Sequence, residues 1–456
     1  MRLREFGRFI ELPKHIKTTH FRNFINECWN NRYSIYDDTG LLDENIDKKE
    51  QRYFTFDGNK IKARNYVGFI NYEGEEITIY PKVFDKEIEN ENMDNYLLAN
   101  LIYWLKDSDK IRLPLVESSL DLQDKDSFIE IFIYIFAEYT LELIYNKPHN
   151  NYEEIEEELE FFKGRLNASA YLKENLSTGR WNKFNCTYEP YLYNNKFNQI
   201  IKYVAKTLTL VSKKEESIEL LHQIIFILDE VEDINCTIYD CNEVKLNRLQ
   251  EDYNLVLSFC EMFLGNTSIS RCREENRLNI CFLVPMELLF EDFVFNFIKN
   301  RFSNEYKEIT KQKSNLFLAD LFIDDNCSGR AFNLRQDIFL KDNTNNIKII
   351  DTKYKMLDHG DYLKFGISQS DLYQMTSYAF RGGYKDLALV YPKTTGIDSK
   401  LEYSIKSPFI DDNISIKVNM VSFSLGYEVY LSNISTHDLY DENNKIIYNE
   451  LKGFLL

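Results

Sequence analysis

A hairpin pattern fills residues 333–355, which read NLRQDIFLKDNTNNIKIIDTKYK. Two short apolar runs, 338–340 and 347–350, flank the polar cluster 341–346. Apolar runs rich in β-branched residues predict strands, and a cluster of Asp, Asn and Thr between them predicts a turn. The stretch is therefore expected to form two antiparallel strands that the rest of the C-terminal region is built around.

The same hairpin brings charged side chains together. If the turn centres on Thr344, Asp337 lies opposite Asp351. Like charges directly opposite on a sheet are destabilising, so a cation between the two carboxylates is expected. Lys353 follows two residues after Asp351 and points to the same face, because side chains alternate along a strand.

Two carboxylates and a lysine in this pattern are suited to metal-dependent hydrolysis of phosphodiesters. Mg²⁺ or Mn²⁺ is held by carboxylates and water, often with a phosphate of the substrate. Such an ion polarises a phosphoryl oxygen and activates water, while a lysine orients that water or stabilises negative charge. The alternative interpretation is an exposed hairpin whose charges simply face water.

A helix is predicted before the hairpin, over residues 284–298, with Pro285 at its start. Glu291 lies at the edge of the apolar face of this helix, because Leu288 precedes it by three residues and Val294 follows by three. A carboxylate at the boundary that reaches solvent is one interpretation, and a third metal ligand is the other.

A second helix is predicted after the hairpin, over residues 368–381, with Ser368 as its cap and Gly383 beyond its end. Gln374 and Tyr378 are four residues apart and so share one face of the helix. The strand predicted at 387–391 completes the order helix, hairpin, helix, strand.

These motifs resemble the PD-(D/E)xK nucleases, and in particular the McrC family, the nuclease subunits of modification-dependent McrBC-type restriction systems. The resemblance spans about residues 66–393 and differs at one position, where Gln336 stands in place of the proline before the first aspartate. The segments that carry it are GFINYEGEEITIYPK (68–82), FFKGRLNASAYLKENL (161–176), PMELLFEDFV (285–294), LRQDIFL (334–340), IIDTKYK (349–355) and SDLYQMTSYAFR (370–381).

The resemblance implies a site, a cofactor and partners. It implies Mg²⁺ or Mn²⁺ as cofactor and double-stranded, modified DNA as substrate. An AAA+ GTPase of the McrB type is implied as partner, with a dimer of complexes possible. The implied catalytic residues are Asp337, Asp351, Lys353, Glu291 and the QxxxY pair Gln374 and Tyr378, of which Asp337, Asp351 and Glu291 are the metal ligands.

Composition fits a folded, multidomain α/β (α+β) protein of 456 residues. A β-rich region is predicted over 1–92 and a mainly helical scaffold over 93–275, in which the acidic stretch 152–160 is predicted to be a helix face. A nuclease domain with a mixed sheet flanked by helices is predicted over 280–456. The resemblance makes 1–92 the region that binds the partner.

Charge and cysteine usage limit the function classes. The net charge of −18 argues against unspecific coating of DNA, since such binding requires neutralising phosphates. The eight cysteines form no CxxC pair, and the first residues contain no apolar signal segment, so a cytoplasmic protein that does not enter membranes is expected. No GxxxxGK[ST] motif occurs, so nucleotide hydrolysis is expected to come from a partner.

Basic residues near aromatic ones are candidates for contact with DNA. They are Lys355 after the hairpin, and Arg165, Arg180 and Lys183 in the middle region. Phosphate pairing and base stacking are one interpretation of such a set, and a surface segment packed on its neighbours is the other.

Three functions are compatible with the sequence. The first is a Mg²⁺-dependent DNA endonuclease subunit of a McrBC-like defence complex, driven by its AAA+ partner. The second is an adaptor that does not cleave DNA but binds and stimulates a ring NTPase. The third is a RecB-like DNA repair nuclease that acts alone. The complete set Asp337, Asp351, Lys353 and Gln374 favours a nuclease over the adaptor.

Overall fold

The computed structural model describes residues 1–32, 51–82, 93–106, 108, 128–152, 154–246, 250–265, 267–270, 277–323, 326–357, 363–393, 401–406, 414–425 and 436–456. The chain divides into two compact units. The first comprises Met1–Phe128 and Asn279–Leu456, and the second comprises Ile129–Leu278. The segments 1–92 and 280–456 therefore lie in one unit, and the division of the chain into three parts by role stays a prediction.

The N-terminal region is rich in strands. Two hairpins, 54–63 and 66–80, turn at Gly58 and Gly74, and both glycines have positive φ angles, +54° and +85°. Glycine adopts this backbone region without the steric cost that a Cβ atom adds. The elements are β1 (Arg2–Arg4), β2 (Ile10–Glu11), α1 (Thr18–Asn31), β3 (Phe54–Asp57), β4 (Lys60–Ala63), β5 (Tyr66–Tyr72), β6 (Glu75–Tyr80) and α2 (Met93–Lys106).

Helix α1 is missing from the sequence prediction, which treats this region as mostly strands. Its buried residues are Phe21, Phe24, Ile25, Cys28 and Trp29. This spacing of three and four residues is the pattern of one helix face. The signal was therefore present in the sequence, but the strong glycine turns of the neighbouring hairpins favoured strands.

The second unit is mainly helical. In the described part of the chain no helix is long and apolar enough to cross a membrane. The elements are α3 (Phe128–Asn146), β7 (Asn151–Tyr152), β8 (Ile155–Leu159), β9 (Arg165–Leu166), α4 (Ala168–Ala170) continuing as a π-helical segment (Tyr171–Leu176), β10 (Phe184–Tyr188), β11 (Tyr191–Leu192), α5 (Lys196–Thr209), α6 (Glu215–Ile227), α7 (Ile238–Glu243), α8 (Glu251–Gly265) and β12 (Thr267–Ser270).

The helix predicted for the acidic stretch 152–160 is wrong. Residues 155–159 form strand β8, which pairs antiparallel with β10. Glutamate is a good helix former, but propensity is a weak signal that tertiary pairing overrides. Here the backbone of β8 finds its hydrogen-bond partners in β10, and the glutamates project from a small exposed sheet.

The C-terminal region contains the remaining elements. Strand β13 pairs antiparallel with β5 and so joins the sheet of the N-terminal region. The elements are β13 (Arg277–Pro285), α9 (Met286–Arg301), β14 (Tyr306–Ile323), β15 (Asn326–Asp342), β16 (Ile347–Thr352), α10 (Gln369–Gly382), β17 (Asp386–Pro392), β18 (Leu401–Ile405), β19 (Ile414–Val421) and α11 (Thr436–Leu455).

A six-stranded mixed sheet carries the predicted hairpin. Its strand order is β14-β15-β16-β17-β19-β18. The pairs β15–β16 and β18–β19 are antiparallel, whereas β16–β17 and β17–β19 are parallel. Helix α9 contacts β16, α10 contacts β14 and β15, and α11 contacts β19. A mixed sheet with helices against it is the coarse architecture that the sequence predicted.

Two long elements of this region were not predicted. Strand β14 pairs with β15 over most of its 18 residues, so the hairpin is the end of a longer ribbon. Helix α11 follows the sheet and packs on β19. Residues 414–421 form β19, the strand on which this helix packs.

Glu5 is a buried carboxylic acid of the N-terminal region. Its Oε2 atom accepts hydrogen bonds from the Lys82 backbone N–H (3.1 Å) and from the Tyr354 hydroxyl (3.0 Å). Burial raises the pKa of Glu5 to about 7, with Lys82 opposing the shift and Glu287 adding to it. The charged form is therefore disfavoured in the folded protein.

This shift predicts a pH dependence of stability that Glu5→Gln removes. The folded pKa of about 7 exceeds the ordinary value of 4.5, so the folded state holds the proton more tightly than the unfolded state. The contribution of Glu5 is fully present below pH 4.5 and is lost as the pH rises to 7, by about 3 kcal/mol. Urea unfolding of wild type and Glu5→Gln at several pH values measures the difference.

The matched control is Glu11→Gln, because the Glu11 side chain is 74% exposed. It should leave the pH dependence unchanged. Equal slopes for wild type and Glu5→Gln between pH 4.5 and 7 would contradict the burial argument.

Candidate active site

The predicted register of the hairpin is confirmed. Ile338 pairs with Ile350 and Lys341 with Ile347, and both pairs are symmetric about Thr344. The Asp342 carboxylate fixes the turn by accepting hydrogen bonds from the backbone N–H groups of Thr344 (2.7 Å) and Asn346 (2.8 Å). The printed pairs end at Ile338–Ile350, and the same register continued by one residue sets Asp337 opposite Asp351.

Strand alternation puts both aspartates on the face covered by α10. Phe339 and Ile349 share this face, because they lie in the same buried cluster as Met375 and Tyr378 of α10. Asp337 and Asp351 are two residues from Phe339 and Ile349 respectively, so their side chains point the same way. The sheet thus directs two carboxylates under one helix.

The two carboxylates have different surroundings. Asp337 Oδ2 accepts hydrogen bonds from Thr352, from its N–H (2.8 Å) and its hydroxyl (3.1 Å). Asp351 is fully buried, and its Oδ1 atom accepts no hydrogen bond among the described residues. Lys353 Nζ lies 2.5 Å from Asp351 Oδ2 as an ion pair. A buried carboxylate with so few partners is costly unless another cation reaches it.

Lys353 is held by a chain of hydrogen bonds that explains the Gln374–Tyr378 spacing. Lys353 Nζ donates to Gln374 Oε1 (3.0 Å), and Gln374 Nε2 donates to the Tyr378 hydroxyl (2.6 Å). The Tyr378 hydroxyl in turn donates to the backbone carbonyl of Arg335. One helix face therefore fastens the lysine to the strand that carries Asp337.

The electrostatics follow from burial and like charge. Burial raises the pKa of Asp337 well above its usual range, and Asp351 and Glu291 add to this effect. Burial also raises the pKa of Asp351, against the opposing influence of Lys353. Burial alone would lower the pKa of Lys353, but the nearby Asp351 and Asp337 outweigh it, and that pKa is raised. Lys353 is accordingly an ammonium ion at neutral pH.

Glu291 is buried in α9, at 8% exposure, rather than at a solvent boundary. Its Oε1 atom accepts a hydrogen bond from Gln312 Nε2 (2.8 Å). Its charge acts on both Asp337 and Asp351, which places it in the same electrostatic environment. A part for Glu291 in metal binding stays a prediction.

Lys355 forms an ion pair with Asp371 rather than with Asp351. Its Nζ atom donates to both carboxylate oxygens of Asp371 (2.9 Å each), at the start of α10. Burial would raise the pKa of Asp371, but the bonds from Lys355 and Ser368 outweigh it and the pKa is lowered. The sequence prediction did not include this pair, because Lys355 and Asp371 are far apart in the sequence. The DNA contact of Lys355 stays a prediction.

The other basic candidates belong to the second unit, where each has an acidic neighbour. Lys183 Nζ lies 3.1 Å from Glu158 and Arg180 lies 3.4 Å from the same carboxylate. Arg165 lies 3.7 Å from Glu154. These are exposed pairs that a phosphate can replace at small cost, since surface ion pairs contribute little. Their contact with DNA stays a prediction.

Gln336 continues strand β15 where the resembled nucleases have a proline. It pairs with Lys313 of β14 and is fully buried. Among the described residues neither its Nε2 nor its Oε1 atom has a hydrogen-bond partner. A buried water is the ordinary way to satisfy such a group. The ladder with β14 is regular from Gln336 to Lys341, and a register shift lies just before Gln336, between Lys313 and Leu316 of β14.

The residues fit a divalent cation held mainly by two carboxylates. Within the described ranges, no three or more His, Cys, Asp and Glu side chains are grouped as metal ligands. Mg²⁺ is commonly bound by one or two carboxylates, with water and a substrate phosphate completing its shell. The Oδ1 atom of Asp351, which accepts no hydrogen bond among the described residues, matches that requirement beside Asp337. Asp337 and Asp351 would hold the ion.

The chain matches a family model over residues 61–392, described as McrBC 5-methylcytosine restriction system component. The chain therefore belongs to this McrBC family. The matched range includes the hairpin with Asp337 and Asp351 and the helix with Gln374 and Tyr378. No curated protein matches the chain in sequence.

Two solved structures from Thermococcus gammatolerans are similar in fold. One is a refined half-complex from a tetradecameric assembly of McrB AAA+ hexamers with bound McrC, with a TM-score of 0.69 and 17% identity over 98% of this chain and 99% of that chain. The other is a cryo-EM structure of the McrBC complex, with a TM-score of 0.51 and 20% identity over 68% of this chain and 89% of that chain.

A test of the metal site does not require cleavage. We expect Mg²⁺ or Mn²⁺ to raise the midpoint of thermal unfolding of the wild type, since an ion at a hundred times its Kd stabilises by about 2.7 kcal/mol. Asp351→Asn should lose this increase, because the amide cannot replace a charged ligand. Differential scanning calorimetry with and without the ion measures it.

Asp320→Asn is the matched control, because Asp320 is an exposed aspartate of β14. It should keep the full increase. A metal-dependent increase of the same size in Asp351→Asn would show that the ion binds elsewhere.

Proposed function

We propose that this chain is the DNA endonuclease subunit of a McrBC-type restriction complex, and that it hydrolyses phosphodiester bonds with Mg²⁺ or Mn²⁺. The observation that carries the proposal is the Asp351 carboxylate. It is fully buried, its Oδ1 atom accepts no hydrogen bond among the described residues, and its Oδ2 atom is paired with a lysine that Gln374 orients. Such a group is costly for stability alone. It becomes favourable when a cation and a phosphate complete the site.

Each side chain has a proposed role. Asp337 and Asp351 bind the ion, with Glu291 as a further ligand or as a base for its water. The bound ion supplies Lewis-acid polarisation of the phosphate and a more acidic water. The Lys353 ammonium stabilises the negative charge that develops on the phosphate oxygens. Gln374 and Tyr378 keep that ammonium in place through the hydrogen-bond chain to Arg335.

The fold proposed for this site is that of the PD-(D/E)xK nucleases. Asp337 lies in β15 and Asp351 lies near the end of β16, where it pairs with Leu389 of β17 in the parallel ladder. Helix α9 brings Glu291 and α10 brings Gln374. This helix, hairpin, helix and strand order supports the assignment.

We propose an AAA+ GTPase of the McrB type as the partner and double-stranded DNA bearing a modified base as the substrate. The Thermococcus assembly that contains McrB hexamers with bound McrC supports the partner. The family description, which refers to 5-methylcytosine, supports the modified DNA. A net charge of −18 is compatible with DNA that is delivered by the partner in the cytoplasm. Two complexes acting together would supply one site for each strand.

The roles of the two lysines are tested by Lys353→Ala and Lys355→Ala. We expect Lys353→Ala to abolish cleavage, with loss on the order of a thousandfold, because it removes a preorganised charge at the phosphate. Lys355→Ala should cleave more slowly by less than about tenfold, because Lys355 pairs with Asp371 instead. Single-turnover cleavage of modified DNA, with partner, nucleotide and Mg²⁺, measures both.

Asp351→Ala should be inactive in the same assay, and each variant should still stimulate the nucleotide hydrolysis of the partner. Full cleavage by Asp351→Ala or Lys353→Ala would refute the site. Restriction that survives Lys353→Ala in cells would favour the adaptor. Degradation of unmodified DNA ends by the isolated chain would favour the RecB-like repair nuclease.

A further inference from the structure

The segment after Asp351 leaves the sheet in a tight turn. Strand β16 ends at Thr352, and the Lys353 N–H donates to the Val390 carbonyl (2.8 Å). The Lys355 N–H then donates back to the Lys353 carbonyl (2.8 Å), which closes a three-residue turn centred on Tyr354. The position of this turn sets where the Lys353 side chain begins.

The Tyr354 side chain lies against different elements from those that contact Lys353. Lys353 contacts Asp351 and reaches Gln374 of α10. The Tyr354 ring is instead buried near Phe290 of α9, with ring centres 6.1 Å apart, and near Phe423, at 6.2 Å. The turn is therefore held through Tyr354 by contacts that are separate from the contacts of Lys353 with Asp351 and Gln374.

The polar end of Tyr354 is held by the N-terminal region. Its hydroxyl donates to Glu5 Oε2 (3.0 Å), and the Lys82 ammonium lies 4.4 Å from the centre of its ring. Glu5 is fixed in turn, because its N–H donates to the Tyr80 carbonyl (2.9 Å) at the end of β6. Strand β6 and the residues beside it thus reach the turn that carries Lys353.

We infer that Glu5 and Tyr354 are positioning residues, whose hydrogen bond fixes the turn at Lys353 and couples the N-terminal region to the catalytic lysine. This inference rests on the proposed nuclease function. A buried acid and a buried tyrosine that only stabilised the fold would not need to meet one residue from Lys353. The region predicted to bind the AAA+ partner is then separated by one hydrogen bond from the turn of the catalytic lysine.

The test uses the full chain in complex with its AAA+ partner, with Mg²⁺, nucleotide and modified DNA. Tyr354→Phe removes only the hydroxyl, and Glu5→Ala removes its acceptor. Each should lower the single-turnover cleavage rate by about tenfold, since small displacements of a catalytic group are costly. The double variant should be no slower than the slower single variant, because both remove the same interaction.

Three readouts separate positioning from general stability. Glu5→Gln should cleave within about twofold of the wild type, because the amide oxygen still accepts the hydrogen bond. DNA affinity and stimulation of nucleotide hydrolysis by the partner should not change in Tyr354→Phe. The control Tyr373→Phe removes the hydroxyl of a tyrosine that is 62% exposed, and should leave cleavage unchanged.

Wild-type cleavage by Tyr354→Phe, or additive losses in the double variant, would overturn the inference. Equal losses of cleavage and of partner stimulation in Tyr354→Phe would also overturn it, since they indicate a structural role. Lys353→Ala separates a failure of the proposed nuclease function from a failure of the positioning role of Glu5 and Tyr354. If it cleaves normally, the proposed function fails, and if it is inactive while Tyr354→Phe is normal, only this inference fails.

Discussion

Two carboxylates, Asp337 and Asp351, share the desolvated end of one β-hairpin, with the Lys353 ammonium as the counter-charge in contact with Asp351. Desolvation and like charge both raise the pKa of Asp337, so the pair is costly in an empty site. Burying charge that stability does not need is typical of functional sites. Contacts from the surrounding elements hold Asp337, Asp351 and Lys353 in this arrangement.

Three sets of contacts supply that restraint. The Asp342 turn fixes the register, so that a slip by one residue, which would turn the aspartates to the other face, is disfavoured. Helix α10 fastens Lys353 through Gln374 and Tyr378. The N-terminal region holds the next residue, Tyr354, through Glu5. The site thus depends on segments from both ends of the chain, and these segments lie in one compact unit.

The sequence predicted the hairpin and its register because turn residues and apolar alternation are local signals. It also predicted that Gln374 and Tyr378 share a face, since helical spacing fixes this. It missed the partners of Lys355 and Tyr354, because Asp371 and Glu5 approach them only through the tertiary fold. It also mistook β8 for a helix, because the pairing of that strand with β10 is not visible in the local sequence.

The central claim is that Asp337 and Asp351 hold a divalent cation next to the bond that is cut. Anomalous diffraction from crystals grown with Mn²⁺ and uncleaved DNA tests it most directly. We predict an anomalous peak within roughly 2.5 Å of an oxygen of each aspartate and beside a DNA phosphate. Mn²⁺ bound only elsewhere in the chain, or a DNA phosphate far from this cluster, would contradict the account.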